Sequence, residues 1–214
     1  MKMNRIEKKF VNSRRRAQRN LRLVDQLLGM IDVTRVTKIL EIGCGAGAVA
    51  AHLASRYPMK VIGTDLDPEM VGMARRYQRE SKNLNFAEAD ATRLPFVDSE
   101  FDMVVSLKVI HHVGDWRGAL REVCRVLRPN GFFIFNDIAG SELMTRILRG
   151  IVKNYGVYTA NEITDFLERN NLGIVYKERL KGMGLRHCNI VFQKGHHPWF
   201  RNSPRGAVKQ NRVP

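Results

Sequence analysis

One segment of the chain reads Lys38-Ile39-Leu40-Glu41-Ile42-Gly43-Cys44-Gly45-Ala46-Gly47-Ala48-Val49-Ala50, and its pattern changes at Gly43. A short apolar run comes before that residue, and alternate glycines followed by an Ala-rich stretch come after it. This pattern predicts a buried strand, a tight turn and the start of a helix. Glycines suit such a turn because they adopt positive φ and place no Cβ where a ligand approaches the backbone. Since the first amides of a helix are unpaired, we expect a nucleotide-like ligand there.

Strand-like and helix-like segments alternate along the chain on both sides of this turn. Strands are predicted at 38–42, 61–64, 84–88, 101–106, 132–135, 174–180 and 189–194, and a turn at 128–131. Helices are predicted at 4–30, from the glycine turn to 56, and at 67–81, 116–127 and 159–170. The alternation predicts an α/β fold: a doubly wound, mostly parallel, seven-stranded Rossmann-like sheet with helices on both faces and an N-terminal helical extension.

Polar residues follow several of these strands at what should be one edge of the sheet. Asp65 follows the second strand, Asp90 the third, and residues 106–108 end the fourth. Ligands of such sheets bind beyond the carboxyl ends of the strands. The glycine turn also fits the loose dinucleotide pattern G-x-G-x-x-G/A, with Asp65 at a suitable distance for a ribose. These residues alone leave NAD and S-adenosylmethionine as alternatives.

Five motifs in order break the tie. They are Leu40–Gly47, Gly63-Thr64-Asp65-Leu66-Asp67-Pro68-Glu69-Met70, Ala89-Asp90-Ala91-Thr92-Arg93-Leu94-Pro95-Phe96, Phe101-Asp102-Met103-Val104-Val105-Ser106 and Arg125-Val126-Leu127-Arg128-Pro129-Asn130-Gly131. Over residues 37–137 the chain resembles the class I S-adenosylmethionine-dependent methyltransferases, in particular the small-molecule type 11 enzymes such as those of ubiquinone and menaquinone biosynthesis. Asn130 stands where many relatives have a second glycine.

The resemblance assigns roles around S-adenosylmethionine, whose product is S-adenosyl-L-homocysteine. Gly43, Gly45 and Gly47 would pass under the methionine and ribose, and Asp65 would accept hydrogen bonds from both ribose hydroxyls. The remaining expected contacts are Leu66 on the adenine, Asp90 and Ala91 at its edge, and Glu41 and the backbone near Leu107 towards the methionine. The alternative for Asp65 and Asp90 is a helix-capping role, and for the glycines a turn inside the core.

Residues just beyond the fourth and fifth strands are the candidates for catalysis. His111 or His112 would act as a general base if the acceptor atom must lose a proton, although either imidazole could instead pack or cap. Tyr155 and Tyr158 are candidates for the acceptor pocket. Methyl transfer otherwise needs chiefly in-line positioning of the nucleophile.

The sequence favours a small-molecule acceptor. Ser106-Leu107-Lys108-Val109 replaces the Asn/Asp-Pro-Pro-aromatic motif of enzymes that methylate exocyclic base amines, and no cysteine occupies the position that a cytosine C5 nucleophile needs. An RNA- or protein-directed methyltransferase, an enzyme acting on a quinone or lipid at an acidic membrane surface, an NAD-dependent oxidoreductase and a non-catalytic binding module are the alternatives.

Basic residues concentrate at the two ends of the chain. The net charge is +15; residues 1–35 hold 10 basic and 3 acidic residues, and residues 194–214 hold 5 and none. Basic ends can bind RNA or an anionic membrane, or can merely be solvated. We expect a basic helical extension at 1–35 that packs on the domain or acts as a lid, a methyltransferase domain at 36–194 and a flexible tail at 195–214.

The three cysteines and six histidines predict neither a disulfide framework nor a metal site. Cys44, Cys124 and Cys188 are widely spaced, and His187, Cys188, His196 and His197 fit no zinc spacing. No apolar run is long enough to span a membrane and no secretory signal is recognisable, so a cytoplasmic location is expected.

Overall fold

A computed structural model describes residues 14–79, 81–152, 154–178 and 186–195. Its elements are α1 (Arg14–Leu28), β1 (Lys38–Ile42), α2 (Ala48–Arg56), β2 (Lys60–Asp65), α3 (Pro68–Gln78), β3 (Leu84–Glu88), β4 (Phe101–Leu107), a 3₁₀ turn (Ile110–His112), α4 (Trp116–Val126), β5 (Leu127–Ala139), α5 (Glu142–Ile151), α6 (Ala160–Arg169), β6 (Leu172–Lys177) and β7 (Arg186–Lys194).

The seven strands form one sheet in the order β3-β2-β1-β4-β5-β7-β6. Neighbouring strands from β3 through β5 pair in parallel, whereas β7 runs antiparallel to both β5 and β6. The strand order reverses between β1 and β4, which places the switch point of the sheet beside the glycine turn. The predicted α/β class and mostly parallel Rossmann-like sheet are confirmed.

The two faces of the sheet bury separate apolar clusters. The first includes Leu120 and Val123 from α4 and Ile163 from α6, packed on one face of the sheet. The second includes Val24 from α1 and Leu53 from α2, packed on the other face. Helices therefore cover both faces, as predicted, and α1 contributes apolar residues to the core.

Local signals explain most helix boundaries. The Asp67 side chain accepts a hydrogen bond from the Glu69 N–H and Pro68 occupies the first turn of α3, as predicted. Asp115 caps α4 by accepting from the Gly118 N–H. The predicted capping box of α6 is present, since Thr159 and Glu162 exchange hydrogen bonds.

Two predicted boundaries are wrong. Residues 128–131 belong to β5 rather than to a separate turn, and they bulge there, because Phe101 opposes Leu127 while Met103 opposes Phe132. Asn130 takes a φ of +63° in this bulge, a left-handed conformation that glycine and asparagine adopt most readily. The strand also continues to Ala139, well past the predicted end at 135.

Of the helix predicted over 4–30, the structure describes the part from Arg14 onward. Residues 1–13 and the tail from 196 lie outside the described residues. Among the described residues, no helix has the combination of length and apolar character that a membrane crossing requires.

Candidate active site

A cavity of about 820 Å³ opens at the carboxyl edge of the sheet. Its walls are the residues that end or follow β1, β2, β3 and β4, together with α1 and the segment after α5. The size suits a nucleotide-sized ligand with room beside it. The site expected from the strand ends is therefore assembled as one enclosure.

The glycine turn forms the floor of this cavity, and its three glycines meet different surroundings. All have positive φ, +66° at Gly43, +53° at Gly45 and +83° at Gly47. A Cβ at Gly43 would lie 2.3 Å from a Val109 methyl carbon, and one at Gly47 would lie 2.7 Å from the Phe86 ring. A Cβ at Gly45 would meet no atom within 4 Å. Gly45 is thus the glycine with open space in front of it, where a ligand could contact the backbone.

Asp65 ties the turn to β2. Its Oδ2 accepts a hydrogen bond from the Gly45 N–H at 2.8 Å, and its Oδ1 accepts one from the Asp67 N–H at 3.0 Å. Burial raises the pKa of Asp65, and the hydrogen bonds from Asp67 and Gly45 oppose that shift. The side chain also lines the cavity. The carboxylate therefore supports the turn while keeping acceptor capacity for a ligand, since each oxygen has two lone pairs.

Glu41 is the most perturbed acid of the cavity wall. Its side chain is buried, and its Oε2 has no hydrogen-bond partner. The pKa of Glu41 is raised to about 8, chiefly by burial; a hydrogen bond from the Ala50 N–H opposes this shift, and the nearby Asp65 carboxylate contributes to it. An unpaired buried carboxyl oxygen in a cavity wall is costly unless a ligand supplies a donor.

The other residues that the resemblance assigned to the cofactor also line the cavity. Leu66 is 45% exposed there, while Ala91 and Leu107 are buried. Asp90 uses its Oδ1 to accept from the Thr92 N–H and hydroxyl, both at 2.8 Å. The described hydrogen bonds of Asp90 are thus those of a local turn, and its Oδ2 has no recorded partner among the described residues.

The two candidate histidines differ in environment. His112 lines the cavity, whereas His111 does not, and their ring centroids are 3.9 Å apart. His111 Nδ1 forms a short hydrogen bond with Asp137 Oδ1, and the His111 N–H donates to Asp137 Oδ2 at 3.3 Å. The Asp137 side chain is fully buried, while 20% of the His111 side chain remains exposed. This arrangement fixes the orientation of the His111 ring.

Only one of the two candidate tyrosines reaches the cavity. Tyr155 lines it, with its ring 5.8 Å from that of His112. Tyr158 is 1% exposed and packs against Trp116 and Phe135. The prediction that Tyr158 lines the acceptor pocket is wrong, because the chain after α5 turns inward and returns to the sheet, where Gly140 pairs with Thr159.

Asp137 and Asn20 of this region were not predicted, and Lys108 was predicted only as part of the strand end at 106–108. Asp137 was missed because the strand was predicted to end at 135; an acid at the carboxyl end of a strand is the signal that marks it. Lys108 and Asn20 also line the cavity, and the Lys108 ammonium donates to Asn20 Oδ1 at 3.0 Å. Burial and the charges of Arg16 and Arg19 lower the pKa of Lys108, and Asp137 opposes that shift. The Lys108–Asn20 contact spans 88 residues, and local sequence carries no signal for it.

His187 lies near this group, where burial and the charges of Lys108 and His111 lower its pKa. In the described ranges no three His, Cys, Asp or Glu side chains gather as metal ligands would. His196 and His197 lie outside those ranges, as do most of the basic residues on which the RNA and membrane alternatives depend.

Comparisons with known proteins agree with the fold. Residues 40–135 match the family model described as a methyltransferase domain. The chain is similar to the 27-O-demethylrifamycin SV methyltransferase of Amycolatopsis mediterranei, with 35% identity over 119 residues that cover 54% of this chain and 44% of the relative. The chain spans about half or less of the length of the curated relatives that it matches.

Solved structures share the fold at low sequence identity. The YcgJ protein of Bacillus subtilis superposes with a TM-score of 0.69 at 19% identity, covering 82% of this chain and 99% of that one. The phosphoethanolamine N-methyltransferase 2 of Haemonchus contortus, solved in complex with S-adenosyl-L-methionine, has a TM-score of 0.67 at 16% identity, covering 82% of this chain and 52% of that one. Over residues 40–135 the chain is thus similar to methyltransferase domains, and its fold is shared with solved methyltransferase structures.

Proposed function

We propose that the protein transfers the methyl group of S-adenosylmethionine to a small-molecule acceptor by in-line displacement. The observation that carries the proposal is the floor of the cavity, where Gly45 faces open space and the unpartnered Oε2 of Glu41 lies in the wall. These features fit a ligand that passes close to the backbone and brings a polar hydrogen donor. The cofactor supplies a methyl group on a sulfonium centre that is already activated for displacement.

The protein's own residues would bind and orient the cofactor. Asp65 would accept from the ribose hydroxyls, Leu66 would cover the adenine, and Glu41 would accept from the ammonium of the methionine part. Asp90, Ala91 and the backbone near Leu107 would complete the contacts. Each of these residues lines the cavity, which supports the assignment. The remaining space beside Tyr155 and His112 is where we place the acceptor.

The similar rifamycin enzyme, by its name, forms an O-methyl product, and a hydroxyl acceptor must lose a proton when it is methylated. We assign the general base to His111, which does not itself line the ligand-free cavity but whose ring centroid lies 3.9 Å from that of the cavity-lining His112. The buried Asp137 holds the Nδ1 of His111 and thereby leaves Nε2 as the proton acceptor. Asp137 is then a positioning residue, and His112 and Tyr155 form the wall of the acceptor space.

The proposal is tested by titrating the protein with S-adenosylhomocysteine in a calorimeter. Asp65→Ala should weaken binding at least about 100-fold, because two charge-assisted hydrogen bonds and the support of the turn are lost. Asp98→Ala, which removes an exposed carboxylate from another part of the molecule, should leave affinity unchanged. NADH serves as the competing ligand. Tight NADH binding with no binding of S-adenosylhomocysteine would refute the proposal in favour of an oxidoreductase.

Binding of S-adenosylhomocysteine should depend on pH through Glu41. With a pKa of about 8, the carboxyl is largely protonated at neutral pH, and a bound ammonium should favour its ionised form. Affinity is therefore expected to rise up to about tenfold per pH unit below pH 8, with proton release that depends on the buffer's ionisation enthalpy. Glu41→Gln should abolish this pH dependence.

The same variant should stabilise the ligand-free protein. The folded-state pKa of Glu41 lies above its ordinary value of 4.5, so the carboxyl costs stability as the pH rises from about 4.5 to 8. Glu41→Gln should raise the free energy of unfolding at pH 8 by up to about 4 kcal/mol, since each pH unit between the two pKa values contributes about 1.4 kcal/mol; urea denaturation measures the change. A fall in stability would show that the carboxylate is satisfied in the ligand-free protein.

Alanine at Gly45 and at Gly47 should separate ligand binding from folding. Gly45→Ala should cost only about 1 kcal/mol of stability, the penalty for a left-handed alanine, yet weaken S-adenosylhomocysteine binding at least about tenfold. Gly47→Ala should cost about 3 kcal/mol or more, because its Cβ would clash with Phe86 and Ala74. Equal losses of stability in the two variants would contradict an open ligand face at Gly45.

The catalytic assignment is tested with an acceptor identified by screening small molecules for S-adenosylhomocysteine release. His111→Ala should lower kcat at least about 100-fold with little change in KM or cofactor affinity. Asp137→Asn should lower kcat and shift the acidic limb of the pH–rate profile, a readout that a merely structural role would not produce. His112→Ala should chiefly raise KM. If His112→Ala instead abolishes turnover and His111→Ala does not, the roles are reversed.

A further inference from the structure

Helix α5 presents an apolar stripe to solvent. Leu143, Ile147 and Ile151 recur every four residues, so they share one face of the helix, and they are 71%, 53% and 73% exposed. The opposite side packs on the protein through the buried Thr145. Three large aliphatic side chains in line on one helix differ from the scattered apolar residues of an ordinary surface.

Basic residues accompany this stripe. Arg146 is exposed three residues after Leu143, and no ion pair joins it to another described residue. Helix α1 exposes Arg15, Arg19 and Arg22 along one of its own faces, and these three likewise form no ion pair within the described residues. An exposed apolar stripe with an exposed arginine on the same helix is the pattern of a helix that lies in the headgroup region of a bilayer, and exposed arginines on α1 add positive charge to the protein surface.

Helix α1 and the segment directly after α5 line the same cavity. Helix α1 contributes Ala17 and Asn20 to the lining, and the segment directly after α5 contributes Asn154 and Tyr155. The apolar stripe thus ends three residues before the cavity-lining Asn154, and the α1 arginines lie on a helix that itself lines the cavity. A surface that engaged both would lie against the mouth of the site.

The charge on this side favours an anionic surface over a second copy of the chain. A twofold interface built on the stripe would bring the same patch of each copy together, so that the unpaired Arg146 side chains would approach each other. Anionic lipid headgroups instead complement both Arg146 and the α1 arginines, and the acyl boundary accepts the apolar side chains.

We propose that this side of the protein docks on an anionic lipid bilayer, with Leu143, Ile147 and Ile151 inserted at the headgroup boundary and the α1 arginines against the headgroups. The cavity then opens towards the membrane. Docking on a bilayer does not depend on the identity of the acceptor.

Vesicle co-sedimentation of the full chain tests the proposal. The protein should partition onto phosphatidylcholine–phosphatidylglycerol vesicles at least about tenfold more than onto pure phosphatidylcholine, and high salt should weaken the binding. Leu143→Ser/Ile147→Ser/Ile151→Ser should lower the partition coefficient at least about tenfold. Val97→Ser/Val175→Ser, which changes exposed apolar residues elsewhere, should leave it within about twofold.

The charge contribution has its own matched pair. Arg15→Gln/Arg19→Gln/Arg22→Gln should reduce binding to anionic vesicles at least about tenfold, whereas Arg75→Gln/Arg76→Gln/Arg79→Gln, which removes exposed arginines at α3, should have a much smaller effect. Equal losses in the two variants would show nonspecific charge attraction and overturn the proposed orientation.

Two further results would overturn the proposal. One is the absence of vesicle binding by the wild-type protein. The other is light scattering that finds a dimer which the triple serine variant converts to a monomer, since a second copy would then cover the stripe. S-adenosylhomocysteine titration of the same preparations separates these failures from a failure of the proposed function, because the serine variant should retain its ligand affinity.

Discussion

The hydrogen bond from the Gly45 N–H to Asp65 Oδ2, 2.8 Å long, joins the two parts of the site that the sheet alone would leave separate. The strands β1 and β2 pair in parallel, so the turn after one and the acid after the other emerge side by side. Positive φ at alternate glycines lets the backbone fold back far enough for this contact. This contact brings the glycine turn and Asp65 together in the floor of the cavity.

The contact between Gly45 and Asp65 holds two carboxyl groups, those of Asp65 and Glu41, in a partly desolvated space, which changes their pKa values. Burial raises the pKa of both Asp65 and Glu41, and the Asp65 carboxylate also disfavours ionisation of Glu41. On the other side of the cavity, Lys108 is a partly buried cation whose pKa is lowered. A ligand that carries both an ammonium and a carboxylate would offset the cost of ionising Glu41 and Lys108. The buried ionisable groups of the ligand-free cavity thus reduce the stability of the fold and are available to bind a ligand.

Sequence predicts the parts of this structure that are built from neighbouring residues. The Asp67-Pro68 start of α3 and the Thr159–Glu162 capping box are local chemistry, and both are present where the sequence predicts them. The bulge at residues 128–131 has the composition of a turn, and only its pairing with β4 makes it part of a strand. Tyr158 is an amphipathic residue in a connection, which suggests a pocket wall. Its ring is instead buried against Trp116 and Phe135, which are distant in sequence. The contact of Lys108 with Asn20 depends on where α1 lies, which no local signal specifies.

The His111–Asp137 pair depends on the pairing of β5 with β7 more than on the motif-rich half of the chain. β5 continues past Phe135 because β7 pairs with it as far as Ala139, where Asp137 opposes Cys188. The Cys188 thiol donates to the Asp137 carbonyl, and the Asp137 side chain is fully buried behind β7. A buried carboxylate requires donors, and here these are the Ile138 N–H and the N–H and ring of His111. The antiparallel return of β7 therefore dictates the orientation of an imidazole that lies on a different loop. The matched residues 40–135 include the glycine turn and Asp65, whereas the pairing of β5 with β7 beyond residue 135 positions the Asp137 carboxylate that orients His111.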